Sequence, residues 1–157
     1  MQASELIARH KLSPHPEGGW YRELHRSERR VTRADGINRS ALTAILFLLE
    51  AGAISRWHRV AGADETWHFA CGAELELLTL APAGGELQRR RLGMSALSGT
   101  AEPLLVVPAC HWQAARSLGA WSLVSCCVGP GFDFADFSLL RDLPAAERPE
   151  GALAAFL

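Results

Sequence analysis

Between Trp20 and Gly129 the chain is a succession of short segments, apolar or alternating, each closed by a turn. WYRELHR (20–26) alternates in part. RSALTAILFLLEAG (39–52) is almost continuously apolar, the mark of a strand covered on both faces. SRWHRV (55–60), ETWHFACG (65–72), AELELLTLAP (73–82), ELQRRRLG (86–93), PLLVVPAC (103–110), HWQAARS (111–117) and AWSLVSCCVG (120–129) follow. Turn signals stand at Ala51-Gly52, Pro82 to Gly85, Ser98-Gly99 and Leu118-Gly119. Short strands at this spacing predict an all-β sandwich or barrel. In AELELLTLAP, Leu75, Leu77 and Thr79 fall on one face, and Glu74, Glu76 and Leu78 on the other. SELIARHKL (4–12) predicts a short helix capped by Ser4, which PHPEGG then breaks. PGFDFADFSLL (130–140) is expected to pack across the outside, and residues 143–157 read as a tail with a helical turn or two.

The 157 residues are enough for one domain spanning 1–157, with its core over about 14–142. With 48% hydrophobic residues the chain is globular, and a net charge of −1 supplies no field to hold nucleic acid or an anionic membrane. Lys11 is the sole lysine; the abundance of arginine reads as composition bias before it reads as function. The run Ala41–Leu49 is too short to span a bilayer, and the N-terminus has no apolar signal core, so a cytoplasmic protein is expected. Cys71, Cys110, Cys126 and Cys127 form no C-x-x-C pair, and buried reduced thiols are expected, Cys126 and Cys127 on opposite faces of a strand. Arg89–Arg91 is the single charge run and reads as a solvated edge.

Chemistry concentrates in GAISRWHRVAGADETWHFACG (52–72). Read as two adjacent antiparallel strands joined by a tight loop, it brings His58 and Glu65 together inside a barrel. An imidazole beside a carboxylate serves either as a divalent-metal donor pair or as an acid–base pair. Alternation from Glu65 puts Trp67 and Phe69 on its face and Thr66 and His68 on the other, so His68 is expected at the surface or an interface. Glu17, Gly18 and Gly19 form a bend that lets backbone approach another surface. Trp20 and Arg22 share one face of the next strand, a pairing suited to stacking on a ring while holding an anion. Trp57, Trp67 and Trp112 suit a ligand pocket as a group, although core packing explains any one of them. Asp133 and Asp136 read first as caps or strand ends. Phe132, Phe134 and Phe137 read as an apolar clamp or a dimer contact.

Gly52, five residues, His58, one residue, Val60, four residues, Glu65, six residues, Gly72 resembles the first motif of the cupins, with Val60 where a second histidine is usual. Pro108-Ala-Cys110-His111-Trp112-Gln113 resembles the second, with Gln113 in place of its histidine. PHPEGGWYRE (14–23), RSALTAILFLL (39–49), WHRVAGADETWHFACG (57–72), VPACHWQAA (107–115) and CCVGPGFDFADFSL (126–139) are similar to the domain-of-unknown-function family 985 branch of that superfamily, over roughly 5–142. PEGGWYRE is more distantly similar to a strand of the metal-free dTDP-sugar 3,5-epimerases, which use a barrel histidine as base and a tyrosine on a later strand as acid; here the sole tyrosine, Tyr21, lies on the first strand.

The resemblance implies a single-domain jelly-roll barrel, commonly a homodimer, that takes a small molecule in its mouth. It implies His58 and Glu65 as catalytic candidates, with His58 the base of an isomerase or epimerase acting on a carbohydrate or nucleotide-sugar. Candidate ligand contacts are Glu17, Gly19, Trp20, Arg22, Arg39, Trp57, Trp67, Trp112 and Gln113. One alternative is a metal-dependent dioxygenase or isomerase with His58, Glu65 and Gln113 as ligands to a divalent metal; His111 and His68 would join only through a bulge. Another is a binding or sensing protein without catalysis. No cofactor is required by the first reading.

Overall fold

The computed structural model describes residues 2–94 and 99–157; the expected turn at Ser98-Gly99 lies partly outside them. A helix, α1 (Ala3–His10), opens the chain. It starts ahead of Ser4 because the Gln2 backbone N–H donates to the Glu5 carboxylate at 2.7 Å, satisfying a helix-end amide that a Ser4 cap would have left free. The strands are β1 (Ser13–Pro14), β2 (Trp20–Arg26), β3 (Arg30–Thr32), β4 (Asn38–Ser40), β5 (Thr43–Glu50), β6 (Ile54–Val60), β7 (Asp64–Gly72), β8 (Leu75–Leu80), β9 (Gln88–Leu92), β10 (Ala101–Glu102), β11 (Leu104–Val107), β12 (Trp112–Ser117), β13 (Trp121–Gly129) and β14 (Phe137–Leu139).

Two sheets of six strands form the body, one ordered β1-β2-β5-β13-β7-β11, the other β10-β9-β8-β12-β6-β14, and β3-β4 is a separate hairpin. This is a two-sheet β-sandwich, with apolar inner faces closing on each other. Phe47, Leu49, Trp67, Leu75, Leu77, Leu105, Val124 and Cys126 meet between the sheets.

Three local readings change. The long apolar run is two strands, because the chain leaves the β3-β4 hairpin at Ala41 and Leu42, and Leu42 is exposed. The outer face of β8 is covered too: Leu78 and Leu80 pack with Trp57, Trp112 and Phe156 of the C-terminal segment. Above all, β6 and β7 are not paired. The loop 61–63 carries the chain from one sheet to the other, so β6 lies between β12 and β14 while β7 lies between β13 and β11. His58 and Glu65 therefore come from opposite sheets, and face one another across the interior instead of along a ladder.

The four cysteines are free thiols; Cys126 is buried, but Cys71 is exposed, contrary to the expectation of burial. Arg89 and Arg91 lie over Glu76 and Glu74 on an exposed edge. Among the described residues no helix is long and apolar enough to cross a membrane.

Candidate functional site

At one end of the sandwich a cavity of about 410 Å³ opens between the sheets, within the ~300–1,000 Å³ typical of small-molecule sites. Its floor holds Glu17, Thr43, His58, Glu65, Trp67 and Cys126, all buried. Its rim carries Ser13, Arg22, Glu23, Arg26, Asp133 and Phe134, and Phe132 and Phe137 form one wall.

The position of Glu17 follows from the glycines after it. Gly18 has φ +111° and Gly19 φ +70°, conformations that favour glycine. A Cβ on Gly18 would lie 2.2 Å from the Ile54 carbonyl oxygen, and one on Gly19 2.8 Å from that of Leu48. The bend is thus pressed onto β5 and β6, and the Arg56 N–H donates to the Glu17 carbonyl at 2.8 Å. Held there, the Glu17 carboxyl accepts from Ser55 Oγ at 2.7 Å and places Oε2 3.2 Å from His58 Nε2 and 3.3 Å from His15 Nδ1.

The protons in this cluster can be assigned from donor and acceptor chemistry. His58 Nδ1 lies 2.8 Å from the Arg56 carbonyl oxygen, which can only accept, so Nδ1 bears hydrogen and Nε2 of the neutral ring is bare. The Glu17 backbone N–H donates to His15 Nδ1 at 3.3 Å, so that nitrogen is bare as well. Two bare imidazole nitrogens thus face one carboxyl oxygen. A proton on Glu17 Oε2, or its transfer to His58 Nε2, satisfies the contact with His58, while His15 Nδ1 already accepts from the Glu17 N–H. Burial pushes the Glu17 carboxyl up to about 7, against the opposing pull of His15 and the Ser55 hydrogen bond. Burial also holds the His58 ring below the ordinary histidine range, with Glu65 pulling the other way, and does the same to His15.

Across the cavity Glu65 accepts from Gln113 Nε2 at 2.6 Å, and Gln113 Oε1 in turn accepts from Trp67 Nε1 at 2.8 Å. Burial raises Glu65 to about 6, opposed first by His58. Burial raises the Cys126 thiol well above its usual range, so it stays protonated beside Glu65. The His58 ring stacks on Phe137 with centroids 5.5 Å apart, and His15 meets Tyr21 edge-on at 4.5 Å. A charge clamp holds the Phe132–Phe137 wall: Asp136 accepts from Arg39 at 2.8 and 3.0 Å and from Arg33 at 2.9 Å.

The sequence-predicted residues therefore divide. Glu17, His58, Glu65, Trp67 and Arg22 line the cavity. Gln113 stands behind Glu65 and Gly19 behind Glu17. Trp57 and Trp112 pack outside the sandwich around Phe156, and Trp57 Nε1 donates to the Leu153 carbonyl at 3.0 Å. Trp20 packs with α1 and donates to Glu50 at 2.9 Å. Arg39 serves the clamp. Asp133 caps the turn Phe134–Asp136 at the rim, and His68 hydrogen-bonds Thr66 on the far face of β7. His15 and Tyr21 were missed. His15 is two residues before Glu17 in PHPEGG, and its spacing was the available signal.

The donor set does not fit a metal of the kind usual in this architecture. Val60 is hydrocarbon, and both ends of the Gln113 amide are engaged. Among the described residues no three His, Cys, Asp or Glu side chains converge as a metal site.

Residues 4–140 match the family model described as Cupin superfamily (DUF985). A hypothetical protein from Leishmania major is 32% identical, with TM-score 0.80 over 88% of this chain and 86% of that one. A Shewanella oneidensis protein is 36% identical, with TM-score 0.79 over 88% and 84%. The capsular polysaccharide assembling protein CapF from Staphylococcus aureus is 11% identical, with TM-score 0.60 over 82% of this chain and 31% of that one, a likeness of fold alone. No curated protein matches the sequence. On the family match and on two relatives above 30% identity, the chain belongs to the cupin superfamily, in its DUF985 family.

Proposed function

We propose that this cupin is an acid–base enzyme that moves a proton on a carbon next to a carbonyl, an isomerase or epimerase in type. The observation that carries the reading is the Glu17 carboxyl at the floor of the cavity, with Oε2 3.2 Å from His58 Nε2 and 3.3 Å from His15 Nδ1. With Glu17 ionised, His58 Nε2 accepts the proton from the ligand carbon, and the Glu17 carboxylate stabilises the imidazolium or takes the proton on, becoming the acid that returns it. A group titrating near neutrality is suited to both halves of such a step, since it gives and takes at similar cost. Glu65 approaches from the other sheet. In its protonated form its carboxyl donates to the ligand's carbonyl oxygen, where negative charge develops as the C–H bond breaks. The aromatic wall excludes water from the intermediate.

The chain is also proposed to pair as a homodimer. The support is the edge strand β11, where Leu104 and Val106 are exposed on a sheet edge that needs covering.

The test is exchange. Candidate keto- and aldo-sugars are incubated with protein in deuterium oxide and followed by proton NMR. Loss of the signal next to the carbonyl, abolished in His58→Ala, supports the reading. A ligand bound without exchange would leave a binding protein.

A further inference from the structure

The cavity wall is rich in charged side chains, yet almost every charge is already answered inside the protein. Arg26 forks onto Glu23 at 2.7 and 3.0 Å and gives its remaining nitrogen to the Phe132 carbonyl at 2.9 Å. Glu65 has Gln113, and Glu17 has Ser55 with the two imidazoles. At the rim, Asp133 accepts from the Ala135 N–H at 2.9 Å. Arg22, also on the rim, is the one cation of the lining with no ion pair or side-chain hydrogen bond among the described residues.

A phosphate or carboxylate placed on the floor would meet two carboxyls and no free cation. Burying an unpaired anion there is prohibitive. The floor instead offers neutral imidazole, hydroxyl and carboxyl groups, which exchange hydrogen bonds with hydroxyls and a carbonyl. Tyr21, Phe47, Trp67 and Phe137 offer flat apolar faces to the C–H surface of a ring.

We infer that the ligand is an uncharged polyhydroxylated carbonyl compound, an aldose or ketose type that bears no phosphate or carboxylate. This rests on the acid–base reading for the carbonyl, and, for the absence of an anion, on a floor with two carboxyls and no free cation, Arg22 standing out at the rim.

Binding is measured by calorimetry with matched probes: fructose against fructose 6-phosphate, xylulose against xylulose 5-phosphate, and inorganic phosphate alone. The uncharged member of a pair binds at least tenfold tighter than its ester, and inorganic phosphate does not compete. Glu23→Gln, which frees the Arg26 fork at the exposed rim, narrows that preference by releasing an anion-binding group. Preference for the ester, competition by inorganic phosphate, or binding by neither member of either pair would overturn the inference. Deuterium exchange is read on the same samples. An uncharged sugar that binds without exchanging refutes the proton-transfer reading and leaves the ligand class standing; an ester that binds and exchanges does the reverse.

Discussion

Replacing Glu17 by glutamine separates the carboxyl's shape from its proton. The amide oxygen still accepts from Ser55, and the amide nitrogen donates toward His58 Nε2 and His15 Nδ1, as the protonated acid does. The variant therefore imitates the neutral state permanently. The wild-type carboxyl ionises near 4.5 when unfolded and near 7 when folded. Its folded pKa is raised, so the native state holds the proton more tightly. The stability this confers is full below the unfolded value and is lost as pH rises from about 4.5 through about 7. At ~1.4 kcal/mol per unit, the difference amounts to about 3 kcal/mol. Glutamine has no such dependence. The stability of Glu17→Gln relative to wild type should thus rise by about 3 kcal/mol between pH 4.5 and pH 8 and level off above. Urea unfolding across that range measures it, with the slope of each transition checked for two-state behaviour. A difference flat with pH would refute the assignment of a buried proton to Glu17. A difference falling with pH would show a carboxylate stabilised as the anion. The same variant, folded, should lose catalysed exchange, because an amide can neither stabilise the His58 imidazolium nor take its proton.

Other perturbations test the frame around the cluster. Glu65→Gln should preserve the fold and reduce exchange by at least tenfold, read by NMR against wild type at equal concentration. Gly18→Ala combines a positive φ with a contact to the Ile54 carbonyl and should cost about 2 kcal/mol or more, seen as a lowered urea midpoint. Phe156→Ala empties the cluster around Trp57 and Trp112 and should cost ~3–5 kcal/mol in the same assay, while any ligand affinity of the folded fraction stays unchanged. The homodimer is checked by light scattering at micromolar concentration, with Val106→Glu expected to yield monomer.

The strands were legible because alternation and turn chemistry are local. β2 and the cores of β6, β7, β8, β12 and β13 stand where the pattern put them, since each buries a face that the side chains announce. What alternation cannot carry is the sheet to which a strand belongs. The loop 61–63 is short enough for a hairpin, yet it changes sheets, and that decided whether His58 and Glu65 met along a ladder or across a cavity. His15 was hidden for a related reason. It lies in a turn without periodicity, and only the packing of Gly18 and Gly19 against β5 and β6 brings it back over β6. The tryptophans misled in the opposite direction. Trp57 and Trp112 belong to strands with two buried faces, and the sequence between 52 and 72 does not reveal that the C-terminal segment covers the outer one.

The clamp at Asp136 has a consequence for how this cavity can vary. One carboxylate is held by two guanidiniums from a hairpin about a hundred residues away in the chain, and Arg33 is anchored a second time by Asp35. Losing Arg39 leaves Asp136 still bridged, so a single change there does not release the wall. The aromatic residues between Phe132 and Phe137 are thus free to be exchanged one at a time while their frame stays tied at its far end. The redundancy secures the frame alone: Phe137 itself stacks on His58, so an exchange at that position is felt by the Glu17, His58 and His15 cluster.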